Sequence, residues 1–317
     1  MAVIAIDLVS TGLTSAALGN SGKVLFKESL SIEGLKGAEV SRLIKGQITK
    51  ILNLYKNKPI QIKSAGISVP GIYNSKTGCV WAPNIEGWEE YPLKQEMKFF
   101  LIEHGVNVKI ANNRTCYILG EMWLGAAQKS RNAIYLSIGK GIGAGILVDG
   151  NVLHGFNDGV GAAGWLALND SFVPDYKLRG SFEFHASGNG ILNAVRTQLE
   201  KKKDSSGVLA QKDPRQITLH DIFEAYRLKD SIAKKVLHQS QKYWGIAAAN
   251  LISLFNPEMI IFGGSVFGPA QQFLEEIKQE TAKWAQPLFM KQVKIVGSQL
   301  GSNAGLIGAG NLAMKKF

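Results

Sequence analysis

Short apolar segments separated by turn residues open the chain and indicate β-strands. They cover residues 3–8, 13–18 and 23–30, with Ser10-Thr11-Gly12 and Asn20-Ser21-Gly22 between them. Strands joined by such turns predict a three-stranded meander. Residues 38–55 then carry apolar side chains at helical spacing, which predicts an amphipathic helix; these side chains are Val40, Leu43, Ile44, Ile48, Ile51 and Leu52.

Predicted strands and helices alternate through the remainder of the chain. Further strands are predicted at 64–69, 106–111, 259–262 and 293–297. Further helices are predicted at 93–104, 115–128, 190–203, 219–226, 231–254, 270–284 and 305–314. This alternation predicts an α/β fold with largely parallel sheets, in which ligands bind at the carboxyl ends of the strands.

The pattern of the N-terminal meander returns in the middle of the chain. Residues 4–25, IAIDLVSTGLTSAALGNSGKVL, and residues 134–153, IYLSIGKGIGAGILVDGNVL, both run strand, small-residue loop, strand, glycine-containing turn, strand. We interpret this similarity as an internal duplication. It predicts two related βββαβαβ-type halves, each with a cleft at its strand ends.

Composition narrows the class of protein. The 317 residues are 45% hydrophobic and 19% charged, which is typical of a globular chain, and this length favours two domains. No apolar run approaches the roughly 18–20 residues that cross a bilayer, and no signal peptide is recognisable at the N-terminus. Cys79 and Cys116, the only cysteines, lack the spacing of a zinc module or disulfide framework. We therefore predict a cytoplasmic protein without a membrane partner.

The net charge of +11 would suit a nucleic acid partner, but its distribution does not favour one. The densest basic cluster, Lys201 to Lys203, falls at a predicted helix end, where cations suit the helix dipole. No helix-turn-helix segment is recognised ahead of the first strand either. DNA binding is therefore not expected.

The 35 glycines give the candidate chemistry. Residues 139–145, GKGIGAG, would let the backbone approach an anion because four positions lack a Cβ; the alternative is a steric requirement of the hairpin. The segment is neither a Walker A loop nor a dinucleotide fingerprint. Asp7, at the end of a buried strand, either organises a cation or caps its own turn. Gly263 and Gly264 would let a ribose or flat ring approach the strand before them.

Six segments, in this order, resemble the repressor, open-reading-frame and kinase (ROK) family of sugar kinases and sugar-responsive regulators, in the actin-like ATPase superfamily. They are 66–71 (GISVPG), 82–88 (APNIEGW), 119–126 (LGEMWLGA), 137–145 (SIGKGIGAG), 250–264 (NLISLFNPEMIIFGG) and 304–309 (AGLIGA). The resemblance covers essentially the whole chain. It implies an α/β fold of two actin-like, ribonuclease H-like domains with a cleft between them, formed by residues 1–115 with 305–317 and by residues 116–304.

The resemblance also implies ligands in that cleft: ATP with Mg²⁺, and a sugar or sugar phosphate. The nucleotide and its phosphates would lie against Asp7, Thr11, Gly139, Lys140, Gly141, Gly143, Gly263 and Gly264. The sugar would contact Asn84, Asn112 and Glu183. Dimers are common among the proteins that this chain resembles, so a homodimer is compatible with the resemblance.

The first departure from the family pattern concerns the catalytic residue. Active kinases of the family carry Glu-Asn-Asp-Ala-Asn after the strand at 106–111, whereas this chain has Ala-Asn-Asn-Arg-Thr at 111–115. Asn113 therefore stands at the position of the catalytic Asp. An amide can position a hydroxyl but cannot take its proton, and loss of a general base typically costs ~10²–10⁴ in rate.

The second departure is the zinc loop of the family, a Gly-Glu-x-Gly-His motif followed by three cysteines. Residues 161–165 read Gly-Ala-Ala-Gly-Trp and residues 174–184 contain no thiol, so no structural zinc is expected. Trp165 would either stack on a sugar or fill the pocket, and His185 is interpreted as structural. The aromatic side chains that could hold the loop instead are Phe172, Tyr176, Phe182 and Phe184.

The third departure lies in the phosphate loop. Val9 and Ser10 replace both glycines of the family's Asp-x-Gly-Gly-Thr motif, and their Cβ atoms would crowd a phosphate. Lys140, where Ser or Thr is usual, would neutralise a phosphate or fill space.

Together these residues predict a sugar-kinase-like protein with impaired or lost phosphotransfer and a sensor or regulatory role. The alternative is an active ATP-dependent hexose or amino-sugar kinase, of glucokinase or N-acetylhexosamine kinase type. In that alternative Asn113 orients the acceptor hydroxyl. The identity of the sugar stays open.

Overall fold

Twelve strands and eleven α-helices are present in the computed structural model, which describes residues 1–201 and 207–315. The strands are β1 Ala2–Val9, β2 Gly12–Gly19, β3 Val24–Ser31, β4 Ile62–Val69, β5 Ile72–Tyr73, β6 Val80–Trp81, β7 Asn107–Asn112, β8 Ala133–Ile138, β9 Ile142–Val148, β10 Asn151–Val152, β11 Met259–Gly263 and β12 Lys294–Gly297. The helices are α1 Ala38–Tyr55, α2 Leu93–Ile102, α3 Asn113–Leu124, α4 Tyr176–Arg179, α5 Ser181–Ala186, α6 Gly188–Lys201, α7 Leu219–Arg227, α8 Ser231–Phe255, α9 Leu274–Trp284, α10 Pro287–Met290 and α11 Ala304–Met314.

Two five-stranded sheets repeat one topology. The first has the order β3-β2-β1-β4-β7 and the second the order β10-β9-β8-β11-β12. In each sheet an antiparallel meander continues into two strands that run parallel to its first strand. The duplication seen in the sequence is therefore a duplicated sheet, and the carboxyl ends of its parallel strands share one edge.

Alternate residues of the central strands face different layers, as the period of a strand requires. In β1, Ile4 and Ile6 pack in a core with α1 and α2, whereas Val3 and Ala5 pack against α11. Strand β8 repeats this division between the core with α5 to α9 and a smaller cluster that includes α3. Each sheet is thus covered on both faces.

Capping residues fix several helix boundaries. The carboxylate of Asp230 accepts hydrogen bonds from the backbone N–H groups of Ile232 and Ala233, which starts α8, and Asn256 ends it in the left-handed conformation. None of the described helices is long and apolar enough to span a bilayer.

Helices α3 and α11 cross in close contact between the two sheets. Helix α11 also packs on β1 and β4, and α3 on β8 and β9. A Cβ on Gly308 would lie 1.7 Å from the carbonyl oxygen of Cys116, and a Cβ on Gly120 would lie 2.4 Å from that of Ala304. Only glycine permits this approach. The predicted grouping of residues 305–317 with 1–115 stays a prediction.

Some predicted boundaries were wrong. The helix predicted at 115–128 spans Asn113–Leu124, because the Asn112 side chain accepts the N–H of Thr115 and caps it earlier. The helix predicted at 270–284 is a 3₁₀ turn at 269–273 followed by α9. Strands β5 and β6 and the short helices α4 and α5 were not predicted. Helix α6 ends at Lys201, and Lys202 and Lys203 of the basic cluster lie outside the described residues.

The helix crossing gives a first prediction. Gly308→Ala should lower the free energy of unfolding by about 1–3 kcal/mol, because the new Cβ forces two backbones apart. Urea unfolding measures the change. Gly46→Ala on α1 is the matched control, because a Cβ there meets nothing within 4 Å and alanine favours the helix by about 0.5–1 kcal/mol. Equal stability of the Gly308 variant and the wild type would contradict the prediction.

Candidate functional site

Asp7 lies buried at the carboxyl end of β1, opposite Ser68 in the parallel register. A Cβ on Gly305 would come within 2.3 Å of its carboxylate, so the first turn of α11 covers this side chain. Burial raises the pKa of Asp7 to about 6, while the Ser68 hydroxyl opposes the shift. Burial together with the charge of Asp7 raises the pKa of the neighbouring Cys116 thiol.

Asn113 is the first residue of α3 and is buried beside Asp7. Its Nδ2 donates to the carbonyl of Leu8 at 3.0 Å and lies 3.5 Å from Oδ1 of Asp7. The Asn113 amide therefore links the start of α3 to the end of β1. Asn112 caps α3 through Oδ1, and its Nδ2 donates to the carbonyl of Asp158 at 3.3 Å.

Ser75 and Asp158 join segments that extend from the two sheets; we call this pair the Ser75–Asp158 clasp. Oδ2 of Asp158 accepts hydrogen bonds from the backbone N–H and the hydroxyl of Ser75, both at 2.8 Å. Its Oδ1 lies 3.4 Å from Nδ1 of His154. Asp158 has φ +56°, a left-handed conformation that Asp and Asn tolerate better than most residues. The clasp holds the segment after β10 against the turn between β5 and β6.

Two of the candidate phosphate-loop glycines pack directly against side chains of the protein. A Cβ on Gly141 would lie 2.6 Å from Oε2 of Glu183, and a Cβ on Gly143 would lie 2.7 Å from Cδ of Arg114. Oε2 of Glu183 accepts the N–H of Ile142 at 2.7 Å. Burial raises the pKa of Glu183. Glu183 and Arg114 thus face β9 side by side.

The two glycines at the carboxyl end of β11 are also in close contact with neighbouring residues. A Cβ on Gly263 would lie 2.0 Å from the Tyr135 hydroxyl oxygen, and Gly264 has φ +89° and contacts the backbone of Ile138. Gly139 differs, because a Cβ there would meet Ser265 Oγ only at 3.5 Å. A Cβ at Gly139 would therefore lie in ordinary van der Waals contact, and the nucleotide role of all these glycines stays a prediction.

Aromatic and polar side chains occupy the loop where the family pattern has zinc ligands. The Tyr176 hydroxyl lies 2.5 Å from Nε2 of His185, and Asn169 Nδ2 donates to that hydroxyl at 3.0 Å. His185 stacks on Tyr243 at a centroid distance of 4.7 Å, and burial lowers its pKa. Phe184 packs edge-on against Tyr176 and His185. Within residues 1–201 and 207–315, no three His, Cys, Asp or Glu side chains are grouped to hold a metal.

Several predicted site residues are exposed, namely Thr11, Asn84 and Lys140. Trp165 is 55% exposed, so its ring does not plug a buried cavity. The structure brings together Asp7, Asn113 and Asn112 at one edge and Glu183, Gly141 and Gly143 at the other. Sequence reasoning missed the Ser75–Asp158 clasp; the Asn-Asp-Gly turn at 157–159 was its only signal.

This geometry places the candidate residues on two duplicated sheets, and the sequence profile of the ROK family matches residues 3–316. The chain belongs to the ROK family. It is 29% identical over 317 residues to a glucokinase of Halalkalibacterium halodurans, covering 99% of this chain and 95% of that one. It is also 29% identical over 292 residues to a xylose repressor of Caldicellulosiruptor bescii, covering 90% of this chain and 71% of the repressor.

The fold of this ROK protein is shared with solved structures. The crystal structure of a ROK family glucokinase from Streptomyces griseus, in complex with glucose and AMPPNP, matches with a TM-score of 0.81 at 23% identity and covers 99% of each chain. This likeness confirms the predicted α/β fold of two actin-like domains. The chain is a sugar-kinase-like ROK protein whose relatives include both kinases and repressors.

The raised pKa of Asp7 predicts a pH-dependent stability. The folded state raises this pKa from 3.8 to about 6, so it favours the protonated form, and stability falls as pH rises from about 4 to about 6. Asp7→Asn should therefore increase the free energy of unfolding by up to about 3 kcal/mol near pH 7.5 and by little near pH 4. Urea unfolding at both pH values measures this. The exposed Asp175→Asn is the control, and an equal effect of Asp7→Asn at both pH values would refute the assignment.

The Ser75–Asp158 clasp predicts coupled effects on stability. Asp158→Ala should lower the free energy of unfolding by about 1–3 kcal/mol, because it removes a buried charged acceptor. Ser75→Ala should cost less, since its backbone N–H still donates to Asp158. The double variant should be more stable than the sum of the single effects predicts, whereas strict additivity in urea unfolding would show that the two residues act independently.

Proposed function

We propose that this ROK protein binds ATP and a sugar between its two domains but transfers phosphate slowly or not at all, and acts as a cytoplasmic sensor or regulator. The proposal rests on the amide side chain of Asn113 and the hydrogen bond that it makes. Its Nδ2 donates to the Leu8 carbonyl, and an amide oxygen has no basic lone pair near neutral pH. The residue at the catalytic position therefore anchors α3 and cannot deprotonate a sugar hydroxyl.

The residues present fit a nucleotide. The backbone at Gly139 would accept a Cβ without a clash, and the exposed Lys140 follows it directly. The Asp7 carboxylate lies beside the Asn113 amide, and in its ionised form it would hold Mg²⁺. Bound ATP would supply the transferable phosphoryl group. The chain's own residues would orient that group and hold the sugar through Asn84, Asn112 and Glu183.

Two features support impaired transfer beyond the loss of the base. Val9 and Ser10 carry Cβ atoms at the turn after Asp7, where a phosphate would approach. The carboxylate of Asp7 is itself covered by the first turn of α11. Because phosphoryl transfer depends mainly on positioning and electrostatics, crowding here reduces the rate independently of the base.

The relatives support a sugar ligand in either role. Glucokinases and xylose repressors both match most of this chain, so loss of turnover is compatible with the fold continuing to serve sugar recognition. A homodimer remains part of the proposal.

Turnover and a designed reversion test the proposal. Sugar-dependent ADP release, followed in a coupled assay with hexoses and amino sugars, should stay well below the ~1–100 s⁻¹ of ordinary kinases. Asn113→Asp should raise it by about 10²–10⁴ if the missing base limits the reaction, and Asn113→Ala is the control that adds no base. Wild-type turnover at an ordinary rate would establish the alternative, an active hexose or amino-sugar kinase. No gain from Asn113→Asp would point to the crowding around Asp7, from Val9 and Ser10 or from the first turn of α11, as a further block.

A further inference from the structure

Arg114 places a cation in the cleft region without an anionic partner. It is the second residue of α3, and its guanidinium makes one long hydrogen bond, 3.4 Å from Nη2 to the carbonyl of Gly71. Within the described ranges 1–201 and 207–315 it forms no ion pair. The guanidinium therefore lies between the end of β4 and strand β9, and the Gly71 carbonyl is its one hydrogen-bond acceptor within the described part of the chain.

Two physical costs oppose a cation at this position. The first turn of a helix is the positive end of its dipole, so a positive side chain there is destabilising. Partial burial adds a desolvation cost, which lowers the pKa of Arg114. An anion bound against the guanidinium would offset both costs, whereas the Gly71 carbonyl offsets little at 3.4 Å.

The surroundings show which part of a ligand would meet this charge. The stem of Arg114 crosses Gly143 in β9, and the Glu183 carboxyl covers Gly141, two residues earlier in the turn that leads into β9. Positions two residues apart on a strand are separated by about 7 Å, the width of a sugar ring with its substituents. Arg114 thus stands beside Glu183 and Asn112, the predicted sugar contacts, and Lys140 lies apart from it in the β8–β9 turn.

Carboxylates near this position are already engaged by other groups: Asp158 accepts two hydrogen bonds from Ser75, and Asp7 is covered by the first turn of α11. Asn112 and Asn113 are neutral amides, and one carboxylate oxygen of Glu183 is held by the N–H of Ile142. Burial also shifts Glu183 toward its neutral form.

We propose that the preferred ligand is an anionic sugar, whose phosphate or carboxylate binds the guanidinium of Arg114. This inference rests on the proposed function, because it assumes that a sugar occupies the cleft. A guanidinium suits both groups, since its donors match two oxygens at once. Nucleotide phosphates are another source of the same oxyanion, and the experiment separates that source.

Isothermal titration of the full chain with five probes tests the proposal: glucose, glucose 6-phosphate, glucuronate, inorganic phosphate and AMPPNP. At least one of the two anionic sugars should bind roughly 10- to 100-fold more tightly than glucose and more tightly than inorganic phosphate. Arg114→Gln, which keeps a donor for Gly71 but removes the charge, should abolish that preference by lowering the affinity for the anionic sugar much more than the affinities for glucose and AMPPNP. Arg114→Lys should keep part of it. Arg42→Ala, an exposed arginine on α1, is the matched control for loss of one positive charge.

Each other outcome overturns the inference in a recognisable way. If glucose binds as tightly as both anionic sugars, the preference for an anionic sugar is refuted and the proposed function is unaffected. Loss of AMPPNP affinity alone in Arg114→Gln would assign the guanidinium to the nucleotide. Equal weakening of every ligand together with a lower melting temperature would show a structural role, and inorganic phosphate equal to the sugar phosphate would show an unspecific anion site. Binding of no sugar at all would overturn the proposed function as well.

Discussion

The glycine contacts at the crossing of α3 and α11 are the constraint on which the rest of the structure depends. The carbonyl oxygens of Cys116 and Ala304 occupy the space of the missing side chains at Gly308 and Gly120. Because the helices meet so closely, the first turn of α11 covers Asp7, and the first turn of α3 brings Asn113 to the same strand end. The position of every candidate catalytic group at this edge therefore follows from the distance between two helices.

Glycines in the β8–β9 hairpin illustrate how one sequence pattern can answer two different needs. A glycine-rich turn between strands would serve a phosphate if its backbone were open to a ligand. Here Glu183 and Arg114 pack on Gly141 and Gly143, and Tyr135 packs on Gly263, so the small residues are required by neighbouring side chains. Gly139 alone among these would accept a Cβ at ordinary contact distance, so packing does not require a glycine there.

The sequence predicted the repeated units of the fold well, because strand and helix periodicity is a local property. The duplicated meander, the long helices α1 and α8 and the family resemblance all came from contiguous residues. The start of α3 after its capping residue Asn112 was not predicted, and neither was the 3₁₀ turn before α9. Capping and turn geometry depend on single side chains.

Contacts between distant segments could not be predicted in the same way. The clasp joins residues 83 positions apart, and the contact of Asn113 with Leu8 spans 105 positions. His185 was interpreted as structural without a visible partner, and its partner Tyr176 became identifiable only when the loop's path was known. For the candidate site, residue identities were readable from the sequence, whereas their mutual orientation required the fold.

The buried thiol of Cys116, on helix α3, allows opening of the native structure to be followed by its reaction with thiol reagents. Thiol reagents attack the thiolate, and Cys116 is both fully buried and held in its protonated form by its surroundings. Its chemical reactivity is consequently controlled by how often the packing around α3 opens, rather than by the intrinsic chemistry of cysteine. Cys79 is partly exposed, so its reaction with the same reagent needs no such opening and serves as an internal reference rate. Any ligand that draws the two sheets together would slow the first thiol and leave the second unaffected.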